Sequence, residues 1–198
     1  MSYQFLDIAQ NLDLWDETIQ IYNDSFPEWE REDTSNILLN VKSGVYKMFS
    51  YVEDGVVIGF YILDINAELD YALFSFLAIK EENRGKGIGS KLCLNAIEYF
   101  HKNIKQDWFL IEAEDRQAKL YARLGFETIK LDYAIPEFNS TSSVPMNLML
   151  IQEQKALDSN SLALIIKDIF HRGYSLNEND QRIQTQIEKI PKTISLLQ

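Results

Sequence analysis

Phe74–Tyr99 reads FSFLAIKEENRGKGIGSKLCLNAIEY, and its three segments decide what the rest of the chain can be. An apolar run of strand type ends near Lys80, a turn follows over Asn83-Arg84-Gly85-Lys86-Gly87-Ile88-Gly89-Ser90, and an amphipathic helical pattern starts at once. Three of the chain's eight glycines fall within five residues of this turn. Glycine lets a backbone take left-handed conformations and come close to a ligand. A helix N-terminus adds unpaired N–H groups and the positive end of the helix dipole, which together favour phosphate. Arg84, Lys86 and Lys91 bring local positive charge to a chain whose net charge is −11. The turn reads as the seat of a pyrophosphate.

Two well-known phosphate loops do not fit it. A Walker loop needs Gly-x-x-x-x-Gly-Lys-Ser/Thr, a spacing absent from the chain. The dinucleotide fingerprint Gly-x-Gly-x-x-Gly fails in both frames, because its last position falls on Ser90 or on Leu92.

Working outward, Tyr3–Ile8 reads as a short first strand. Leu12, Trp15, Ile19 and Tyr22 mark one face of a helix that should stop near Ser25-Phe26-Pro27. Thr34 or Ser35 is placed to cap a second helix ending at Gly44. Tyr46–Val52 and Val56–Leu63 are β-branched and aromatic, with Glu53-Asp54-Gly55 as a hairpin turn between them. After a strand over Leu73–Lys80 and the glycine turn, the next helix should bury Leu92, Ala96, Ile97 and Phe100. Trp108–Ala113 reads as a strand, Ala118–Leu124 as a helix closed by Gly125, and Phe126–Leu131 and Asn147–Ile151 as strands. From Gln152 the pattern changes. Leu162, Ile165, Ile166, Ile169 and Phe170 form one amphipathic helix and Ile183, Ile187 and Ile190 suggest another, an appendage packed on the main domain or on a partner. The class is α/β with a mixed sheet.

Bulk properties narrow the partners. At 198 residues, 46% hydrophobic and 25% charged, the chain can bury a sizeable core. No apolar run reaches the roughly 18 to 20 residues of a membrane span, and the first residues carry no basic leader pattern. The single cysteine, Cys93, reads as core filler, and a cytoplasmic setting is expected. Asp13–Asp33 holds eight acidic residues against one base, Arg31, so nucleic acid is an unfavourable partner and a cationic acceptor a favourable one.

Arg84-Gly85-Lys86-Gly87-Ile88-Gly89 resembles the Arg/Gln-x-x-Gly-x-Gly/Ala signature of the GNAT superfamily of acyl-CoA-dependent N-acyltransferases. Leu120-Tyr121-Ala122-Arg123-Leu124-Gly125-Phe126 is similar to that family's Leu-Tyr-x-x-x-Gly-Phe. Ser25-Phe26-Pro27 with Glu30-Arg31, and Asp132-Tyr133 followed by Pro136 and Leu148-Met149-Leu150, resemble a bacterial branch with a helical C-terminal extension. The resemblance implies a mostly antiparallel central sheet flanked by helices over residues 1–151 and a helical extension over 152–198. It also implies acetyl-CoA as co-substrate, no metal, and an amine of a small molecule or peptide as acceptor. Cofactor contacts carry over to Leu77, Ala78 and Ile79 for the pantetheine arm and carbonyl, to Arg84, Gly85, Lys86, Gly87, Ile88, Gly89 and Ser90 for the pyrophosphate, and to Tyr121 at the thiol. Where members often have asparagine seven residues before the tyrosine, this chain has Glu114, so that asparagine's hydrogen bond is not carried over.

Transfer to an amine needs a neutral nucleophile, a placed carbonyl, a stabilised oxyanion and help for the thiolate. Tyr121 is the candidate donor to the departing sulfur. Glu112 and Glu114, on one face of their strand by period-two alternation, are candidate bases, with Glu68 and Asp70 as rivals. His101 and His171 are poorly placed, and a covalent route through Cys93 is disfavoured. The competing reading is a non-catalytic acyl-CoA-binding module. In either case the C-terminal helices offer an interaction or homodimer surface.

Overall fold

The structure is a computed structural model and describes residues 3–197. The chain divides into two compact units: the first runs to Asn66 and resumes over Ala72–Lys105, and the second takes Ala67–Tyr71 and the chain from Gln106 onward.

In the first unit the strands β1 (Tyr3–Asp7), β2 (Tyr46–Glu53), β3 (Val56–Asn66) and β4 (Tyr71–Ile79, of which Tyr71 belongs to the second unit) lie in sequence order. β1 and β2 pair antiparallel, as do β2 and β3. Asp54 and Gly55 have φ of 47° and 82°, the paired left-handed conformation that matches a hairpin turn to strand twist. Helices α1 (Trp15–Ser25) and α2 (Thr34–Ser43) bury Ile21, Tyr22, Ile37 and Val41 against Tyr46, Met48, Phe60 and Ile62. Helix α3 (Ile88–Asn103) meets the sheet through Tyr61, whose hydroxyl donates to Asn95 Oδ1 at 2.8 Å, and through the Phe49–Tyr99 ring pair. With helices against both faces, β2 and β3 are buried along nearly their whole length, which explains why they lack a clean polar alternation.

Local details differ from the sequence expectation. Phe26 turns extended before Pro27 as expected, but the cap of α2 is Asp33, one residue earlier than Thr34. Asp33 accepts from the Ser35 hydroxyl and from the Ser35 N–H, the latter at 2.8 Å, and these bonds, the hydroxyl first, hold its carboxyl below the usual range. Ile97 is only half-buried; Cys93 takes the fully buried place on α3.

In the second unit, β5 (Trp108–Ala113) and β8 (Ser143–Gln152) pair antiparallel, and the other edge of β8 receives β6 (Glu127–Ile129) and β7 (Tyr133–Pro136) in turn. The strand expected over Phe126–Leu131 is thus shorter, and β7 is a further strand. Helix α4 (Asp115–Arg123) follows β5. The C-terminal helices α5 (Ser159–Asp168) and α6 (Gln181–Glu188) bury Leu162, Ile165, Ile166 and Ile183 in this unit, Phe170 is buried just beyond α5, and a two-residue strand β9 (Leu196–Leu197) pairs with β6. Gln186, 3% exposed, pins α6 to the start of β7: its Oε1 accepts from Ala134 N–H at 3.1 Å and its Nε2 donates to the Asp132 carbonyl at 3.0 Å. Among the described residues no helix is long and apolar enough to cross a membrane.

Asp180 caps α6 and pairs with Arg182, whose guanidinium also donates to the Ser140 carbonyl at 2.8 Å. The Arg182 side-chain bond, then its backbone N–H, draws the Asp180 carboxyl down from 3.8 to about 2. A depressed carboxyl stabilises the fold above its unfolded value and loses that effect as pH falls through the folded one. Asp180→Asn, which keeps an N-cap side chain but loses the charge pair with Arg182, should therefore cost up to about 1 kcal/mol at neutral pH. Thermal melts of the two proteins should converge as pH falls from about 4 towards 2.

Candidate active site

The first unit supplies the phosphate seat. Within β4, Leu77 and Ile79 are half-buried and Ala78 is buried. Strand β3 approaches this segment closely at Gly59, where a Cβ would lie 2.7 Å from the Ala78 carbonyl oxygen. Gly59 did not enter the sequence reading. Its signal was a lone glycine inside a β-branched and aromatic run, which marks close backbone approach.

Beyond β4, a 3-10 turn over Glu81–Asn83 leads to Arg84, whose Nε donates back to the Ile79 carbonyl at 3.3 Å. Gly85 and Gly87 both have φ of +78°, and a Cβ at either would meet nothing within 4 Å. Gly87 is the N-cap of α3, and no side chain caps the helix there. The first-turn N–H groups, which have no partner within the helix, therefore open onto an exposed turn of Arg84, Gly85, Lys86 and Gly87. Buried Ile88 fixes the helix start beneath it, while Gly89 and Ser90 are half-buried. The two left-handed glycines, the open space over them and the uncapped dipole suit a pyrophosphate.

One cation near the turn is engaged elsewhere. Lys91 lies over the Tyr3 ring at 4.5 Å and donates to Tyr51 Oη at 3.3 Å, and that bond raises its pKa. Arg84 and Lys86 remain as the cations of the turn. Cys93 is fully buried, and burial pushes its thiol up to about 12, so it stays a neutral core group.

The second unit holds the remaining candidates. Tyr121 sits on α4, 8% exposed, with its ring edge-on to Phe126 at 6.0 Å. Its carbonyl accepts from the N–H groups of Leu124 and Phe126, closing the turn through Gly125. Glu114 is exposed and extended immediately before α4, and its side chain does not cap the helix. Asn147 of β8 ties this junction, donating to the Ala113 carbonyl at 3.2 Å and to Asp115 Oδ1 at 2.9 Å. Glu112 is half-buried on β5 and accepts from two phenols, Tyr133 at Oε1 and Tyr174 at Oε2, the latter at 2.7 Å. The residues that hold Glu112 come from β7 and the C-terminal segment; Tyr133 stood in the Asp132-Tyr133 resemblance without a role, and Tyr174 carried no sequence signal of its own.

Asp70, with φ of 60°, accepts from the Asp107 N–H at 3.1 Å and closes the loop before β5. Glu68 is exposed. His171 Nδ1 lies 2.8 Å from the Leu176 carbonyl, inside the C-terminal segment, and His101 packs on Phe100 at the end of α3.

Residues 45–128 match the family model described as an acetyltransferase (GNAT) domain, a span that includes both the glycine turn and the Tyr121 motif. Among solved structures, a GNAT-family protein from Bacteroides thetaiotaomicron is similar at 18% identity and TM-score 0.69, covering 89% of this chain and 100% of that one. A Salmonella typhimurium acetyltransferase solved with acetyl-CoA is similar at 22% identity and TM-score 0.59, covering 80% of this chain and 98% of that one. A spermidine N-acetyltransferase from Vibrio cholerae is similar at 16% identity and TM-score 0.58, covering 76% of this chain and 93% of that one. A sequence search of curated proteins returns no match. Residues 45–128 thus match an acetyltransferase (GNAT) domain in sequence, and most of the chain shares its fold with these solved structures.

Proposed function

We propose that the protein transfers the acetyl group of acetyl-CoA directly to a primary amine of a small molecule or peptide, in the cytoplasm. The observation that carries this reading is the uncapped, open glycine turn at the N-terminus of α3. Arg84, Gly85, Lys86, Gly87, Ile88, Gly89 and Ser90 hold the pyrophosphate there, and Leu77, Ala78 and Ile79 present the main chain to the pantetheine arm and the carbonyl.

In the reaction a C–N bond forms and a C–S bond breaks. The nitrogen's proton becomes more acidic as nitrogen bonds to carbon, so a carboxylate can accept it directly or through water. Glu112 takes this role, because its phenol donors favour the ionised form and fix its orientation. Glu114, exposed at the head of α4, is the second acceptor and passes the proton to solvent. Tyr121 donates a hydrogen bond to the sulfur as it leaves with the bonding electrons. The acidic span Asp13–Asp33 favours cationic acceptors, and the similarity to a spermidine N-acetyltransferase makes polyamines a first choice for assay.

The test is acetyl-CoA turnover against spermidine, other diamines, amino acids and short peptides, read by released thiol. Thiol release that depends on one of these amines is expected. Tight CoA binding with no release on any amine would instead support a non-catalytic acyl-CoA-binding module.

A further inference from the structure

We infer that Tyr174, carried by the C-terminal segment, is a positioning residue for Glu112: its phenol orients the carboxylate as a proton acceptor. The inference rests on the reading of Glu112 as the base. It gives the C-terminal helices a part in the chemistry, although no residue of theirs lies in either family motif.

The geometry is built for this contact. Helix α5 does not end in an ordinary cap but widens into a single π-helical turn over Ile169–Gly173. Such widened turns displace the following residues and recur at functional sites. Tyr174 follows at once, and Ser175, with φ of 55°, turns the chain away. The Leu176 N–H returns to the Phe170 carbonyl at 3.1 Å, and His171 Nδ1 meets the Leu176 carbonyl, which locks the loop. A non-glycine residue in the left-handed region costs about 1 kcal/mol or more, so the turn is retained against a local penalty. The Tyr174 ring lies between Phe138 at 5.4 Å and Phe170 at 5.9 Å, leaving the hydroxyl on Glu112 Oε2.

A second set of bonds holds the same turn from its other side. Tyr71, the first residue of β4, donates to Asp168 Oδ2 at 2.6 Å, and Arg172 donates to that oxygen at 2.9 Å and to Tyr71 Oη at 3.2 Å. The titratable groups that face Glu112 include Tyr133 from β7 and Tyr174 beyond the π turn, and Tyr71, which interacts with Tyr133, carries the Asp168–Arg172 pair. Burial, then the Glu112 charge, pushes the Tyr133 phenol well above its ordinary value, so it remains a donor throughout the working pH range.

The test titrates Glu112 directly, by the carboxyl-carbon NMR signal of protein labelled at glutamate, assigned by its loss in Glu112→Gln. Tyr174→Phe keeps the ring between Phe138 and Phe170 and removes only the donor. Its Glu112 midpoint should rise by about one pH unit, since a hydrogen bond to the ionised form favours that form. The lower limb of the kcat/KM profile with spermidine should move with it. Placing 3-fluorotyrosine at position 174, nearly isosteric but a stronger donor, should move the midpoint the other way even if Tyr174→Phe folds poorly. Midpoints unmoved in both proteins, with Glu112→Gln inactive, overturn the inference alone. Wild-type turnover by Glu112→Gln overturns the base reading itself and the inference with it.

Discussion

Gly89→Glu is expected to weaken CoA binding at least about a hundredfold, a loss of roughly 3 kcal/mol, while the protein stays folded. The position separates ligand binding from stability in a way its neighbours do not. Gly87 has φ of +78°, so any side chain there strains the backbone, and a binding loss in Gly87→Val would mix two effects. Gly89 lies in the first turn of α3 without that conformation, and a Cβ there meets Ile79 Cδ1 at 3.4 Å, an ordinary contact. A carboxylate near a helix N-terminus even stabilises the helix, by about 0.3 to 1 kcal/mol. The same carboxylate competes for the first-turn N–H groups and repels a pyrophosphate. Gly89→Ala is the size control and should bind nearly as well as the parent. Calorimetry with CoA and a thermal melt decide the matter; undiminished affinity in Gly89→Glu would remove the phosphate seat from this turn.

The sequence was legible where chemistry is local. Asp54-Gly55 specified its hairpin, and Pro27 marked the end of α1. The glycine turn and Leu120–Phe126 carried the resemblance, and both lie within the GNAT domain match over residues 45–128. What could not be read depends on distant partners. Glu112 looked like an open carboxylate, yet its donors stand 21 and 62 residues further along the chain. Lys91 counted as a phosphate-side cation until the strands placed Tyr3 and Tyr51 beneath it. The cap of α2 moved to Asp33 because its carboxylate reaches the Ser35 N–H, a choice between adjacent polar residues that pattern alone leaves open. β7 escaped notice because four residues ending in Pro136 make a weak strand by themselves and gain their register only from β8.

Tyr121→Phe is expected to lower kcat by about ten- to a hundredfold and leave CoA affinity within a factor of two, the pattern of an interaction made mainly in the transition state. The ring is almost fully buried and packs edge-on against Phe126, so phenylalanine preserves the fold and removes only the hydroxyl. The size of the effect follows from acidity. An ordinary thiol near 8.5 and an ordinary phenol near 10 leave complete proton transfer to the thiolate uphill by roughly 2 kcal/mol. A hydrogen bond that strengthens as charge gathers on sulfur avoids that cost, and it is worth more at the transition state than in the bound thioester, where sulfur is a poor acceptor. Either role needs the phenol protonated, so kcat should fall at high pH as the phenol ionises, with the lower limb set by the carboxylate. A thioester with a more acidic thiol should also narrow the gap between parent and Tyr121→Phe, since a better leaving group gains less from the donor. An unchanged kcat in Tyr121→Phe, with acetyl-CoA and a responsive amine, removes Tyr121 from the chemistry and returns it to the buried face of α4.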